Sequence, residues 1–170
     1  RNTRASGTIS FAPKIDVSAG VGPYAIRIGD IDGDGKADLV VTHFGTFAGD
    51  GNTVSILRNT STTGNLSFAS KVDFTTNSGP RDFVIADIDG DGKPDVTIAH
   101  FGGSGAGNTV SVLRNTSTLG NPTFAAKVAF TVGTGAIRIV LSDLDKDGKL
   151  DVATANFGTT TTGGAGNTVS

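Results

Sequence analysis

The chain has 170 residues, no cysteine, methionine or tryptophan, and a formal net charge of −2 at pH 7. The missing cysteines exclude a disulfide framework, the near-neutral and scattered charge argues against a nucleic-acid partner, and no apolar run reaches the length of a membrane span. All sixteen acidic residues are aspartate, and twelve of them fall in three short loops.

Taken in chain order, the opening Arg1-Asn2-Thr3 recurs at Arg58 and Arg114, which divides the chain into units 1–57, 58–113 and 114–170. Self-similarity at this period predicts a solenoid, a propeller or an array, each unit burying its apolar faces on its neighbours. The first strand of a unit, typified by Asp82-Phe83-Val84-Ile85-Ala86, leads into an acidic loop. A second follows it with period-two alternation, as in Val96-Thr97-Ile98-Ala99. A Gly-rich connection such as Gly102 to Gly107 precedes a third strand, Thr109 to Leu113. Asn-Thr-Val-Ser marks that strand at Asn52, Asn108 and Asn167. Phe68 to Phe74 and Phe124 to Phe130 read as a fourth, introduced by the turn residues Gly64-Asn65 and Gly120-Asn121. No helical stripe interrupts this pattern. The expectation is an all-β chain of three four-stranded antiparallel blades of about 57 residues, with a metal loop between first and second strands.

The loops are Asp30-Ile-Asp32-Gly-Asp34-Gly-Lys36-Ala-Asp38, Asp87-Ile-Asp89-Gly-Asp91-Gly-Lys93-Pro-Asp95 and Asp143-Leu-Asp145-Lys-Asp147-Gly-Lys149-Leu-Asp151. Four carboxylates within nine residues repel one another unless a cation sits among them. Oxygen ligands alone suit a hard ion with a flexible shell, so calcium is expected, one ion per repeat and three per chain. Positions 1, 3, 5 and 9 offer carboxylates. Glycine at position 6 (Gly35, Gly92, Gly148) permits the turn that brings the position 7 carbonyl inward, so the main-chain oxygens of Lys36, Lys93 and Lys149 are expected ligands, their side chains in solvent. A helical EF-hand would need glutamate at position 12, where this chain has Val41, Ile98 and Thr154. Lys146 replaces the usual glycine at position 4, which supplies no side-chain ligand.

The run from Ser78 to Val96, with Gly107-Asn108-Thr109-Val110-Ser111-Val112-Leu113 and Gly120-Asn121-Pro122-Thr123-Phe124, resembles the VCBS/FG-GAP-type repeat of bacterial extracellular proteins. Integrin α-subunit propellers and some propeller lectins carry related blades. The resemblance spans the chain and implies a calcium-bearing β-propeller, usually seven-bladed, in adhesion, recognition or carbohydrate binding. Three blades do not close a ring, for which four to eight are typical. The start at Arg1 and the stop at Ser170 are almost circularly complementary. They predict either self-association, with Phe11 and its neighbours completing a partner's last blade, or continuation into further repeats, which the absence of methionine favours.

No catalytic set is evident, and the expectation is a non-enzyme. The two histidines, His43 and His100, hold equivalent positions in His-Phe-Gly, where the third repeat has Asn156. They read as polar residues ending the second strand. Alternatively His43-Phe44, His100-Phe101 and Asn156-Phe157 line repeated ligand sites, an aromatic face with a hydrogen-bonding tip suiting a sugar. The Gly-rich loops lack the Lys-Ser/Thr of a phosphate-binding loop. Asn59, Asn65 and Asn115 fit a glycosylation sequon common by chance in such a chain, and Arg58 and Arg114 read as solvated or inter-blade charges. The expectation is an extracellular or cell-surface module, secreted by a bacterium, that binds a glycan or protein ligand without nucleic-acid or membrane insertion. The competing expectations are a spacer or filament subunit with no small ligand, and an accessory segment of a larger secreted protein.

Overall fold

The computed structural model describes residues 1–46, 49–159 and 168–170. Asn167 and the Gly/Thr stretch before it lie outside them. No α-helix occurs among the described residues, and no helix there is long and apolar enough to cross a membrane. The strands are β1 (Pro23–Gly29), β2 (Asp38–His43), β3 (Thr53–Leu57), β4 (Val72–Thr75), β5 (Pro80–Ala86), β6 (Asp95–His100), β7 (Thr109–Leu113), β8 (Val128–Thr131), β9 (Ala136–Ser142), β10 (Asp151–Asn156) and β11 (Thr168–Val169).

They form three antiparallel sheets, ordered β1-β2-β3-β4, β5-β6-β7-β8 and β9-β10-β11. The third shows three strands among the described residues. In the first two sheets the outermost strand is supplied by the unit after the one that forms the other three. Thus β4 pairs with β3 through Val54↔Phe74 and Ile56↔Val72, although Arg58 separates them in the repeat phase. Each of these two sheets is therefore stapled to the unit that follows it. The expected fourth strands are shorter than the runs Phe68–Phe74 and Phe124–Phe130. Phe68 and Phe124 instead form single bridges to Asn59 and Asn115, around the tight turns at Thr62–Asn65 and Thr118–Asn121. A bridge between Asn2 and Phe11 repeats this at the start.

The sheets pack face to face. Val40, Val54 and Ile56 of the first meet Phe83, Val96 and Ile98 of the second, with Ile31 and Leu113 closing the cluster. Ala99 and Val110 meet Ala136 and Ile139 of the third. Covered on both sides, β6 is buried at every residue, as expected of a strand sandwiched between layers. The outer faces lack such cover. Ile26 and Ile28 on β1 are 55% and 68% exposed, whereas Phe83, which holds the place of Ile26 one repeat later, is 1% exposed. Edge strands β1, β5 and β9 lie side by side, and on them Arg27 of the first sheet pairs with buried Asp82 of the second at 2.7 Å.

Candidate metal centres and the aromatic cleft

Every acidic loop joins the first strand of a sheet to its second. Positive φ at Gly35, Gly92 and Gly148 (82°, 86° and 87°) makes the expected turn, a geometry that only glycine adopts without cost. The loop is held by its own carboxylates. Asp30 accepts hydrogen bonds from the N–H groups of Asp34 and Gly35 at 3.1 and 2.9 Å. Asp87 and Asp143 take the same bonds from Asp91 and Gly92 and from Asp147 and Gly148. Lys146 takes the left-handed φ of 68° that the first two loops give to Gly33 and Gly90.

Three carboxylates per loop converge: Asp30, Asp32 and Asp38; Asp87, Asp89 and Asp95; Asp143, Asp145 and Asp151. Their candidate ligand oxygens lie within 4.8 Å of one another. Calcium–oxygen distances of about 2.3–2.6 Å place two ligands on opposite sides of one ion at roughly that separation. Asp34, Asp91 and Asp147 at position 5 stand outside these groups. Each accepts the position 7 N–H at 2.9 Å. The main-chain oxygens of Lys36, Lys93 and Lys149 accept no hydrogen bond among the described residues. The lysine side chain differs from expectation in the second loop, where Lys93 donates to the Ser117 carbonyl at 2.9 Å; Lys149 stays in solvent while pairing with Asp147 at 3.0 Å.

Burial distinguishes position 9. Asp38 and Asp95 are fully buried, and each accepts two backbone N–H bonds, from Ile31 and Asn59 and from Ile88 and Asn115. Burial pushes both carboxyls above their ordinary range despite those bonds, and the charges of Asp32 and Asp34, or of Asp89 and Asp91, push the same way. The first loop has one further mark. Oxygen Oδ2 of Asp32 is buried and has no hydrogen-bond partner. A buried anionic oxygen without a hydrogen bond is costly; Arg58 at 4.0 Å offsets it only in part, and a divalent cation is the group that the surrounding carboxylates would admit. The residues present fit calcium.

Several participants escape a reading of local sequence. Asn115 is buried, and its side-chain amide donates to the carbonyls of Ile31 and Pro94, both at 2.9 Å, tying two acidic loops together. Asn59 donates to the Ala37 carbonyl at 2.9 Å. These amides are in use as structural donors, so the sequon at Asn115 is no glycan acceptor in the folded chain. Arg58 and Arg114, read as solvated or inter-blade charges, reach the acidic loops of their own sheets. Arg58 lies 4.0 Å from Asp32, and Arg114 lies 3.8 Å from Asp91.

The His-Phe-Gly triplets split. His43, His100 and Asn156 close strands β2, β6 and β10 and turn inward. His43 Nε2 lies 2.7 Å from Ser55 Oγ, which donates to Asp73; His100 Nε2 lies 2.7 Å from Ser111 Oγ. Asn156 donates instead to Ser170 Oγ at 2.9 Å. The order His–Ser–Asp sends the serine proton to aspartate and away from the imidazole, so no nucleophile is activated. In the second sheet Ala129 stands where the first has Asp73. Burial lowers the affinity of both imidazoles for a proton, and brings His100 down to about 4, with the Lys127 charge adding to the effect.

The phenylalanines face the other way. Phe44, Phe101 and Phe157, with Tyr24 and Arg81, line a cleft of about 520 Å³. Ring centroids are 5.3 Å apart for Tyr24–Phe44 and 6.3 Å for Phe44–Phe101. A glycine just before the first strand fixes each backbone: Phe44, Phe101 and Phe157 donate their N–H to Gly22, Gly79 and Gly135 at 3.0, 2.9 and 2.8 Å. Thus the six residues of the triplets do not converge on one site.

No curated protein and no solved structure matches the chain. The sequence model of one family does match, over residues 1–41 and 46–98, and its description is FG-GAP-like repeat. That span takes in the first two acidic loops with the strands on either side of them, and over half the chain, so the chain belongs to the FG-GAP-like repeat family.

Proposed function

We propose that this chain is a calcium-clamped, non-catalytic recognition module of the propeller type that works outside the cell. The observation that carries the reading is the buried oxygen of Asp32, without a hydrogen-bond partner and with only the Arg58 guanidinium at 4.0 Å beside it, inside a group of three converging carboxylates. Calcium bound there neutralises the cluster and locks the hairpin between the first and second strands of each sheet. Extracellular modules hold calcium at about 0.1–1 mM, which fits a cell surface and not a cytosol. The His–Ser–Asp order supports a non-catalytic role. Exposed Ile26, Ile28 and Val140 on the outer faces of the stack fit further blades of the same kind, from a second copy or from further repeats. Their cover would extend the existing sheet-on-sheet packing.

Equilibrium dialysis against calcium tests the metal assignment. The expected result is three ions per chain, displaced by EDTA and not competed by equimolar zinc. Uptake of no calcium would overturn it. A second reading rests on the aromatic cleft: its accessible rings Tyr24, Phe44 and Phe157 suit the apolar face of a sugar ring, so the recognised ligand is a glycan. A spacer without a small ligand would show no reproducible hits on a glycan array.

A further inference from the structure

We propose that the ligand is an acidic sugar, a pyranose bearing a carboxylate, held where the aromatic cleft opens onto a row of arginines; this rests on the glycan reading above. A second cleft, of about 530 Å³, adjoins the aromatic one and shares Tyr24 and Arg81 with it. Arg27 of β1, Arg81 of β5 and Arg138 of β9 line it, opposed by a single carboxylate, Asp82. Asp82 is already engaged. One of its oxygens takes Arg27 at 2.7 Å, and the other accepts the Ile139 N–H at 3.3 Å. Three guanidinium groups thus face one carboxylate, an excess of two positive charges.

Arg81 and Arg138 differ in a useful way. Arg81 is pre-set: its guanidinium lies 4.5 Å from the Phe101 ring centre and 5.6 Å from that of Tyr24, and its Nε donates to the Tyr24 hydroxyl at 3.0 Å. Its two Nη nitrogens have no hydrogen-bond partner among the described residues. A stacked, immobilised guanidinium presents a rigid fork to a carboxylate and loses little side-chain freedom on binding. Arg138 is exposed and has no ion pair among the described residues. The non-equivalence is informative. At the place of Asp82 the first sheet has Ala25 and the third has Arg138, so the arginines converge from unlike positions and are not a by-product of the repeat. A ring stacked on Phe44 or the exposed Phe157 would direct a carboxyl substituent toward Arg81 and Arg138.

The test is calorimetric titration of the calcium-loaded chain with three probes: a galacturonate trisaccharide, the neutral galactose trisaccharide and an oligoglutamate peptide. The uronate is expected to bind at least about tenfold more tightly than its neutral counterpart. Raising salt from roughly 50 to 300 mM should weaken only the charged ligand. Arg138→Gln should reduce uronate affinity about tenfold and leave the neutral sugar and the melting temperature unchanged. Equal binding of both sugars, insensitive to salt and to Arg138→Gln, would overturn the acidic preference and leave the glycan reading standing. Binding of neither sugar would overturn both, and binding of the peptide alone would replace the sugar by an acidic protein partner.

Discussion

At the scale of single residues, the acidic loops show how a local motif states its chemistry. The spacing Asp-x-Asp-x-Asp-Gly-x-x-Asp is legible because all its parts lie within nine residues, and the structure gathers positions 1, 3 and 9. Arg58, Asn59 and Asn115 were not legible as loop partners, since their contacts bridge about 20 to 84 residues of chain. Asp32 offers a two-sided test. Asp32→Asn removes the buried anionic oxygen that has no hydrogen-bond partner; with saturating calcium it should cost about 2 kcal/mol of stability, the value of one lost ion. In EDTA the same change should be neutral or stabilising, because a buried charge that faces two other carboxylates, with only Arg58 at 4.0 Å to offset it, disappears. Thermal melts of both proteins in both buffers check the reversal. Lys146 gives a second test. Its left-handed φ of 68° costs a side-chain-bearing residue about 1 kcal/mol, so Lys146→Gly should raise stability by roughly that amount. His100 supplies the third. Its proton affinity in the folded chain is lowered to about 4 from 6.5, so the unfolded chain binds more protons between these values. Stability from this group is full above about pH 6.5 and declines as pH falls toward 4, by at most about 3 kcal/mol. His100→Asn, the residue natural to the third repeat, should flatten that part of the pH–stability curve, measured by denaturant titration at several pH values.

At the scale of elements, period-two alternation and turn residues were enough to place the first three strands of the repeat. The second sheet shows this well: β5, β6 and β7 enclose the runs at Asp82, Val96 and Thr109. The fourth strand was less legible because its sequence is shared between two tasks. Phe124 is spent on a bridge to Asn115 and an edge-on contact with Phe74 at 4.8 Å, and only Val128–Thr131 is left to pair with β7. Sequence also concealed the glycines that set the aromatic cleft. Gly79 has φ of 64°, and a side chain there would meet the Gly102 backbone nitrogen at 2.5 Å. Its carbonyl also takes the Phe101 N–H. Gly79→Ala should therefore cost about 2–4 kcal/mol through strain and displaced backbone. Gly7→Ala, where φ is also positive but the space is open, should cost only about 1 kcal/mol. Chemical denaturation of the two variants compares them directly, and equal losses would mean that the close approach at Gly79 carries no weight.

At the scale of the whole molecule, repetition fixes both the strengths and the exposed places of the fold. The middle sheet is covered on both faces and holds the fully buried β6, whereas Ile26 and Ile28 on one side and Val140 on the other carry apolar surface into solvent. The same repeats place a carboxylate cluster at the head of every sheet, three in 170 residues without a single disulfide. With no covalent staple, the calcium ions of the proposed function would be the components that reconcile twelve loop carboxylates with a packed stack. The molecule as a whole should therefore lose stability when they are withdrawn. The most direct test is thermal unfolding of the intact chain in excess calcium and again in EDTA. The account predicts a melting temperature lower by about 10 °C or more in EDTA, recovered on adding calcium back; the same melting temperature in both buffers would contradict it.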